Sequence, residues 1–311
     1  MHILVTGGAG FIGSNLCDHL IGAKHQVVCV DNLITGSEKN IGHLLSNPSF
    51  SFIKADIADK INFKEKFDAI FHLASPASPI DYQNHPVETM IANSQGTHKM
   101  LNLAKNLNAK FLLASTSEVY GDPQEHPQKE TYWGNVNPIG ERSCYDESKR
   151  YAESLTMVYV RKFNLDARIV RIFNTYGPRL QRDDGRVISN FINQALHGQS
   201  LTIYGDGNQT RSFCYVSDMV KGLVMAMNKE QTKGEVFNLG NPEEFTILQI
   251  AQMVKELINP VVEFINKPLP QDDPRCRQPD ISKARQVLGW QPQVPFKDGI
   301  IATIEYFKSN A

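Results

Sequence analysis

The sequence predicts an α/β protein, a doubly wound parallel sheet with a smaller mixed α/β lobe. Three observations carry that prediction. Continuous apolar strands alternate with stretches of helical spacing through the first half of the 311 residues, the pattern of a parallel sheet covered on both faces. A glycine-rich turn joins the first strand to the first helix. An acidic residue closes the second strand.

Taken in order, Ile3-Leu4-Val5 is a short buried strand, and Phe11 to Leu20 has helical spacing. Val27 to Val30 is a second apolar strand ending at Asp31. Phe52-Ile53 precedes Asp56, and Ala69 to Leu73 is another strand. Pro86 to Leu107 reads as one long helix. Lys110 to Ala114 is a strand delivering the chain to Ser115, Tyr145 to Phe163 is helical, and Ala167 to Ile172 is strand-like. Beyond about residue 175 short helices (Val187 to Leu196, Asp218 to Met227, Ile247 to Leu257) mix with short strands near Leu201-Thr202-Ile203 and Val236-Phe237. A proline-rich connector runs from Pro268 to Pro279. The expected division is a dinucleotide-binding domain over 1–174 and a partly interleaved lobe over 175–311. The site is expected in the cleft at the carboxyl ends of the strands.

Formal net charge is −1, so nothing electrostatic calls for a nucleic-acid or membrane-surface partner. No apolar run approaches the roughly 18 residues that span a bilayer. Cys17, Cys29, Cys144, Cys214 and Cys276 are scattered and form no CxxC pair. A reducing, cytoplasmic setting is therefore expected, with no disulfide framework and no zinc site. All twelve arginines lie between Arg142 and Arg285. The planar guanidinium binds carboxylate and phosphate in a way lysine cannot copy. Drift in surface composition covers several of them; a doubly anionic ligand held by the second half is an equally good account of the asymmetry.

Gly7-Gly8-Ala9-Gly10-Phe11-Ile12-Gly13 follows the first strand and opens the first helix. Such glycines let the backbone approach a pyrophosphate, which the helix N-terminus stabilises. Asp31 stands 18 residues after Gly13, near the ~20 expected for the acid that binds the adenosine ribose. A carboxylate there repels a 2′-phosphate, so NAD is expected over NADP. Asp56, after the third strand, is a candidate acceptor for the adenine amino group.

Tyr145 and Lys149, four apart on a helix, share one face. Thr116 and Ser117 close a strand upstream, followed by Glu118. An ammonium beside a phenol favours the phenolate and should bring its pKa down from ~10. A hydroxyl from Thr116 or Ser117 would hold the substrate oxygen, and the set would take a proton from a sugar hydroxyl while hydride passes to a nicotinamide. His72 reads as a core residue. Trp290, Trp133, Tyr132 and Tyr120 read as packing groups.

With these residues in view, the chain resembles the extended short-chain dehydrogenases/reductases, and among them the UDP-glucuronate decarboxylases (UDP-xylose synthases), from Met1 to about Gly289. The more specific stretches are Ser75-Pro76-Ala77-Ser78-Pro79, Thr116 to Pro123, Tyr132 to Gly140, Arg142 to Glu147, Asn174 to Arg179, Asp184 to Val187, Tyr204 to Gly207 and Asp272 to Asp280. Ser148 and Glu141 depart from the glycine and proline expected there. The resemblance implies Tyr145 as base with Lys149 as partner, Thr116 orienting the sugar, Ser117 near its carboxylate and Glu118 beside its ring. It places Gly7, Gly10, Phe11, Ile12, Gly13, Asp31, Asn32, Thr35, Gly36, Asp56, Ile57, Leu73, Ala74, Asn93, Tyr176 and Arg179 with Tyr145 and Lys149 around NAD. It gives Asn174, Arg186, Val187, Asn190, Tyr204 and Arg211 to the UDP portion and Arg277 to the sugar. It also implies a homodimer paired through two long helices.

Oxidising C4 of a glucuronate puts a ketone beta to the C5 carboxylate, so carbon dioxide can leave without a metal or thiamine. A 4,6-dehydratase would need an acid where Ser117 stands. A 4-epimerase has no evident need for Glu118 or for an arginine beside a carboxylate. A non-catalytic NAD-binding sensor would not need Thr116, Tyr145 and Lys149 intact.

Overall fold

A computed structural model of the chain describes residues 1–268 and 276–309. Seven parallel strands form the central sheet: β1 (His2–Thr6), β2 (Gln26–Asp31), β3 (Phe50–Lys54), β4 (Ala69–His72), β5 (Lys110–Thr116), β6 (Ala167–Ile172) and β7 (Val236–Leu239). Their spatial order is β7-β6-β5-β4-β1-β2-β3, so the strand order reverses between β1 and β4. β7 comes from beyond residue 175 and pairs with β6, Val236 opposite Ile169.

Successive strand residues face opposite layers, which is why these runs are apolar throughout. Ile3 and Val5 pack with Leu16, Cys17 and Leu20 of α1 (Phe11–Gly22). Leu4, Val28 and Val30 face the other way, toward Met100, Leu101 and Ala104. On that second face the chain forms α2 (Pro79–Asn84), α3 (Pro86–Ile91), a π turn (Ala92–Gly96), α4 (Thr97–Leu107) and α5 (Ser143–Phe163). The long helix expected from Pro86 to Leu107 is thus interrupted. At the turn Gly96 lies so close to Ile57 that a Cβ would stand 2.5 Å from its Cδ1. Each buried aliphatic side chain in these layers contributes about 1.5–3 kcal/mol.

The lobe has its own core. Ile188, Phe191 and Ile192 of α6 (Val187–Leu196) meet Ile250 and Val254 of α8 (Ile247–Ile258) and Ile300, Ile304 and Phe307 of α9 (Phe296–Ser309). Between them α7 (Val216–Asn228) returns to the sheet and covers α1. Helix α8 starts on a capping box: Thr246 Oγ1 accepts from Gln249 N at 3.1 Å, and Gln249 Oε1 accepts from Thr246 N at 2.8 Å, satisfying two otherwise orphaned donors. Trp290 is core, its Nε1 donating to Asp218 O at 2.9 Å. Trp133 is not; it is 88% exposed, because the Tyr132–Gly140 segment runs over the surface. Cys17, Cys29, Cys144 and Cys214 are buried free thiols. No helix among the described residues is long and apolar enough to cross a membrane.

Candidate active site

The carboxyl ends of the strands open on one cleft of about 1360 Å³, walled on its far side by the lobe. At the β1 end, Gly7 has φ +73°, and a Cβ there would lie 2.7 Å from Ala74 N. A Cβ on Gly13 would stand 2.1 Å from Gly7 O. Only glycine allows this turn to lie flat on the start of α1. Helix α1 has no side-chain cap, so its first N–H groups remain available to an anion.

Asp31, 8% exposed, accepts from Ala9 N at 3.0 Å and Leu33 N at 2.8 Å. Burial raises its pKa, and these two bonds oppose the rise. Gly36 passes 2.9 Å from its Oδ1, measured to a hypothetical Cβ. Asp56 accepts from Asn32 Nδ2 and Ala58 N, each at 2.8 Å. Phe11, Ile12, Ile57, Leu73 and Ala74 complete this end, with the Thr35 carbonyl taken by Gln181 Nε2 at 2.6 Å. Arg179 is tied to Asp18 of α1 at 2.5 Å and keeps its Nη1 buried without a partner. Glycine cradle, open helix start and buried carboxylate fit the pyrophosphate and ribose of NAD.

Asn93, which the resemblance places at the cofactor, meets the cleft wall through Ser75. It is 1% exposed in the π turn, behind the cleft wall, and donates to Ser75 Oγ and Ser148 Oγ, each at 3.0 Å. Ser148 is engaged in turn by the carbonyls of Cys144 and Tyr145, at 2.6 and 3.0 Å.

Helix α5 brings Tyr145 and Lys149 against the end of β5. Thr116, Ser117 and Glu118 follow there, the last two in a 3₁₀ turn over Ser117–Tyr120. Thr116 Oγ1 accepts from Glu118 N at 3.1 Å and also pairs with the Tyr145 hydroxyl. Lys149 Nζ donates to Ala114 O at 2.9 Å and stands 5.8 Å from the Tyr145 ring centre. Burial lowers Lys149 to about 8, against the pull of Glu153. Tyr145 does not follow the sequence expectation: burial pushes it up to about 12, with Glu118 repelling the phenolate while Thr116 and Arg186 oppose the rise. His72 is buried beneath, between Thr6 Oγ1 at 2.7 Å and Thr97 Oγ1 at 3.0 Å. Burial, with Lys149 adding to it, holds it down to about 3, so it stays neutral.

Beside Tyr145 lies a buried charge cluster. Glu118 takes Arg277 Nη1 on Oε1 at 2.6 Å and Arg142 Nη2 on Oε2. Burial would raise this acid, but the two guanidiniums outweigh it and hold it near 2. Arg277 is 2% exposed and also donates to Ser117 Oγ at 3.1 Å and Gly121 O at 3.0 Å. Two of the cleft residues to which the sequence assigns no role stand at this cluster. Arg142 is one. The other is Tyr82, whose ring stacks on Tyr145 at 5.0 Å and 7° with its hydroxyl buried and unpartnered. Tyr82 stands three residues beyond the Ser75–Pro79 stretch and Arg142 three before Tyr145, so proximity to marked motifs was the available signal.

On the lobe side Asn174, Val187, Asn190, Tyr204 and Arg211 line the cleft. Arg186 bridges to the sheet side through Ala77 O at 3.0 Å. Tyr176 reaches the cleft with its ring alone, since its hydroxyl donates to Phe296 O at 3.0 Å. Among the described residues, six arginines line this one cleft: Arg142, Arg179, Arg182, Arg186, Arg211 and Arg277. Asp272 to Arg275 lie outside the described residues. Among the described residues no group of His, Cys, Asp and Glu could hold a metal.

The model of the NAD-dependent epimerase/dehydratase family matches residues 3–240. The chain is 54% identical over 310 residues to UDP-glucuronic acid decarboxylase 1 of Arabidopsis thaliana, covering 100% of this chain and 70% of the relative. It is 55% identical over 309 residues to UDP-glucuronic acid decarboxylase 6 of the same plant, covering 99% and 89%. Among solved structures, UDP-glucuronic acid 4-epimerase from Bacillus cereus, in complex with UDP-glucuronic acid and NAD, superimposes with a TM-score of 0.89 at 33% identity, covering 100% of both chains.

Proposed function

The chain belongs to the NAD-dependent epimerase/dehydratase family, and from that premise we propose that it converts UDP-glucuronate to UDP-xylose and carbon dioxide, regenerating NAD in each turnover. Glu118 carries the reading. It is a half-buried carboxylate kept ionised by Arg142 and Arg277, two residues after Thr116 and beside Tyr145. Ser117 stands where a 4,6-dehydratase would need an acid. The relatives at 54% and 55% identity are decarboxylases.

When bound, NAD takes up and later returns the two electrons of sugar C4 and brings a positive ring charge. Tyr145 takes the C4 hydroxyl proton, with Thr116 holding that oxygen. Lys149 and the charges around it set the energy of the phenolate. The C4 ketone lies beta to the carboxylate at C5, so the C5–carboxylate bond breaks with its electron pair moving into a C4–C5 enolate. Tyr145 stabilises the enolate oxygen. A proton then adds at C5, and C4 is reduced with Tyr145 returning the hydroxyl proton. Glu118 sits beside the ring, Ser117 and Arg277 toward its carboxylate. Asn174, Arg186, Asn190, Tyr204 and Arg211 hold the UDP.

The working arrangement is a cofactor domain over 1–174 and a nucleotide-sugar lobe over 175–311, interleaved through α7 and β7. The protein acts in the cytoplasm as a homodimer. Val87, Met90, Tyr151, Val158 and Phe163, exposed on α3 and α5, supply the apolar face for the helix pairing. A second reading, UDP-glucuronate 4-epimerisation, is favoured by the Bacillus cereus likeness and starts with the same oxidation.

Mass spectrometry of products from UDP-glucuronate separates them. Decarboxylation predicts loss of one carbon dioxide with no net NADH. A product of unchanged mass would replace this reading with epimerisation, and NAD held tightly without turnover on any nucleotide sugar would replace it with a sensor.

A further inference from the structure

Asp146 follows Tyr145 in the first turn of α5 and is 6% exposed, with Oδ1 buried and without a hydrogen-bond partner. Among the described residues, the charged and titratable groups around it are Glu118 from the 3₁₀ turn, Arg277 from the Cys276–Arg277 strand, Arg142 and Glu147 from the residue before its helix and the helix itself, Tyr82 from α2, and Cys144 and Tyr145 beside it. Glu118 has already taken a guanidinium nitrogen from each arginine, one on each oxygen. A second carboxylate in this pocket would be desolvated and would face the Glu118 charge.

We propose that Asp146 is a positioning residue whose protonated form supports turnover, so that Arg142 and Arg277 remain on Glu118 and no second negative charge opposes the Tyr145 phenolate. The proposal rests on the decarboxylase reading for its activity test alone. Asp146 does not line the cleft and transfers no proton to substrate; it acts through its neighbours. Two acids in one pocket with environments that split their affinities are a recurring arrangement. Here burial first, and Glu118 second, raise Asp146 to about 7, while Glu118 is held near 2. Ionised Asp146 would draw on Arg142 and raise Tyr145 further, since each of these pairs acts in that direction.

The test is Asp146→Asn, which keeps shape and neutrality. The variant should be active near pH 6, and the ratio of its kcat/KM to that of wild type should rise roughly threefold or more between pH 6 and pH 9. Thermal unfolding gives a readout independent of activity. A buried acid with a raised pKa lowers stability as pH rises through the window between its unfolded and folded values, so wild type should lose several degrees relative to the variant from pH 5 to pH 8. A pH-independent activity ratio, or thermal profiles that stay parallel, would overturn the proposal. Should the variant fail to fold, the infrared spectrum of wild type decides: a protonated buried carboxyl must be present at pH 6 and gone by pH 9, and its absence at pH 6 sinks the idea. If wild type makes no UDP-xylose, the decarboxylase reading fails, while the thermal and infrared results still judge Asp146.

Discussion

Replacing Lys149 with methionine removes a charge that folding has to bury. Lys149 is 4% exposed and falls from 10.5 to about 8 on folding. At ~1.4 kcal/mol per decade of proton affinity, the buried ammonium costs about 3 kcal/mol at neutral pH. Against this stands its hydrogen bond to Ala114 O at 2.9 Å, contributing about 1 kcal/mol net. Methionine fills similar volume, so Lys149→Met should stabilise the protein by about 2 kcal/mol at pH 7 and raise Tm by roughly 4 °C. The sign follows from linkage: below pH 8 both folded and unfolded states are protonated and the penalty is complete, whereas between pH 8 and 10.5 the unfolded state binds the extra proton and the penalty fades. Thermal unfolding from pH 7 to pH 10.5 should therefore show the variant's advantage shrinking with pH. Activity should fall by about two orders of magnitude because the phenolate loses its nearest cation on α5. A variant less stable than wild type at pH 7, or an advantage that grows with pH, would refute the reasoning.

Tyr145→Phe should leave NAD binding by calorimetry nearly unchanged while kcat drops ~10²–10⁴-fold; equal loss of cofactor affinity would remove Tyr145 from its role. Asp31→Asn should weaken NAD by about tenfold, since it exchanges a charged acceptor for a neutral one, and an unchanged Kd would place the ribose elsewhere. Glu118→Gln removes the carboxylate that Arg142 and Arg277 share and should cost about 3 kcal/mol in urea unfolding as well as abolishing turnover; full stability would mean that the shared carboxylate contributes nothing to the fold. Met90→Glu on the exposed face of α3 should yield monomers by sedimentation, whereas an unchanged mass would move the dimer contact elsewhere.

Which parts of this were legible in sequence follows from what depends on local pattern. Strands such as Val27–Val30 and Phe111–Ala114 advertise themselves because burial on both faces leaves no polar positions. Tyr145 and Lys149 were legible because a spacing of four is a geometric statement on a helix. The break in the helix expected from Pro86 to Leu107 was not legible, because a π turn shifts register by one residue without a signature in composition. Trp133 was taken for a packing residue because aromatic identity says nothing about which segment crosses the surface. The Tyr145 proton affinity was misjudged since desolvation belongs to the assembled pocket and outweighs a single lysine whose ammonium faces a carbonyl. The Glu118–Arg277 pair joins residues 159 apart in sequence, and pairing at that range is a property of topology.

The account's central claim is that the electrons removed from sugar C4 return to the same carbon after carbon dioxide has left. UDP-glucuronate carrying deuterium at C4, turned over in ordinary water and analysed by NMR, tests it most directly. The prediction is UDP-xylose with the deuterium still at C4 and a solvent proton at C5. Loss of the C4 label with carbon dioxide released, or its retention in a product that still holds the carboxylate, would contradict the account.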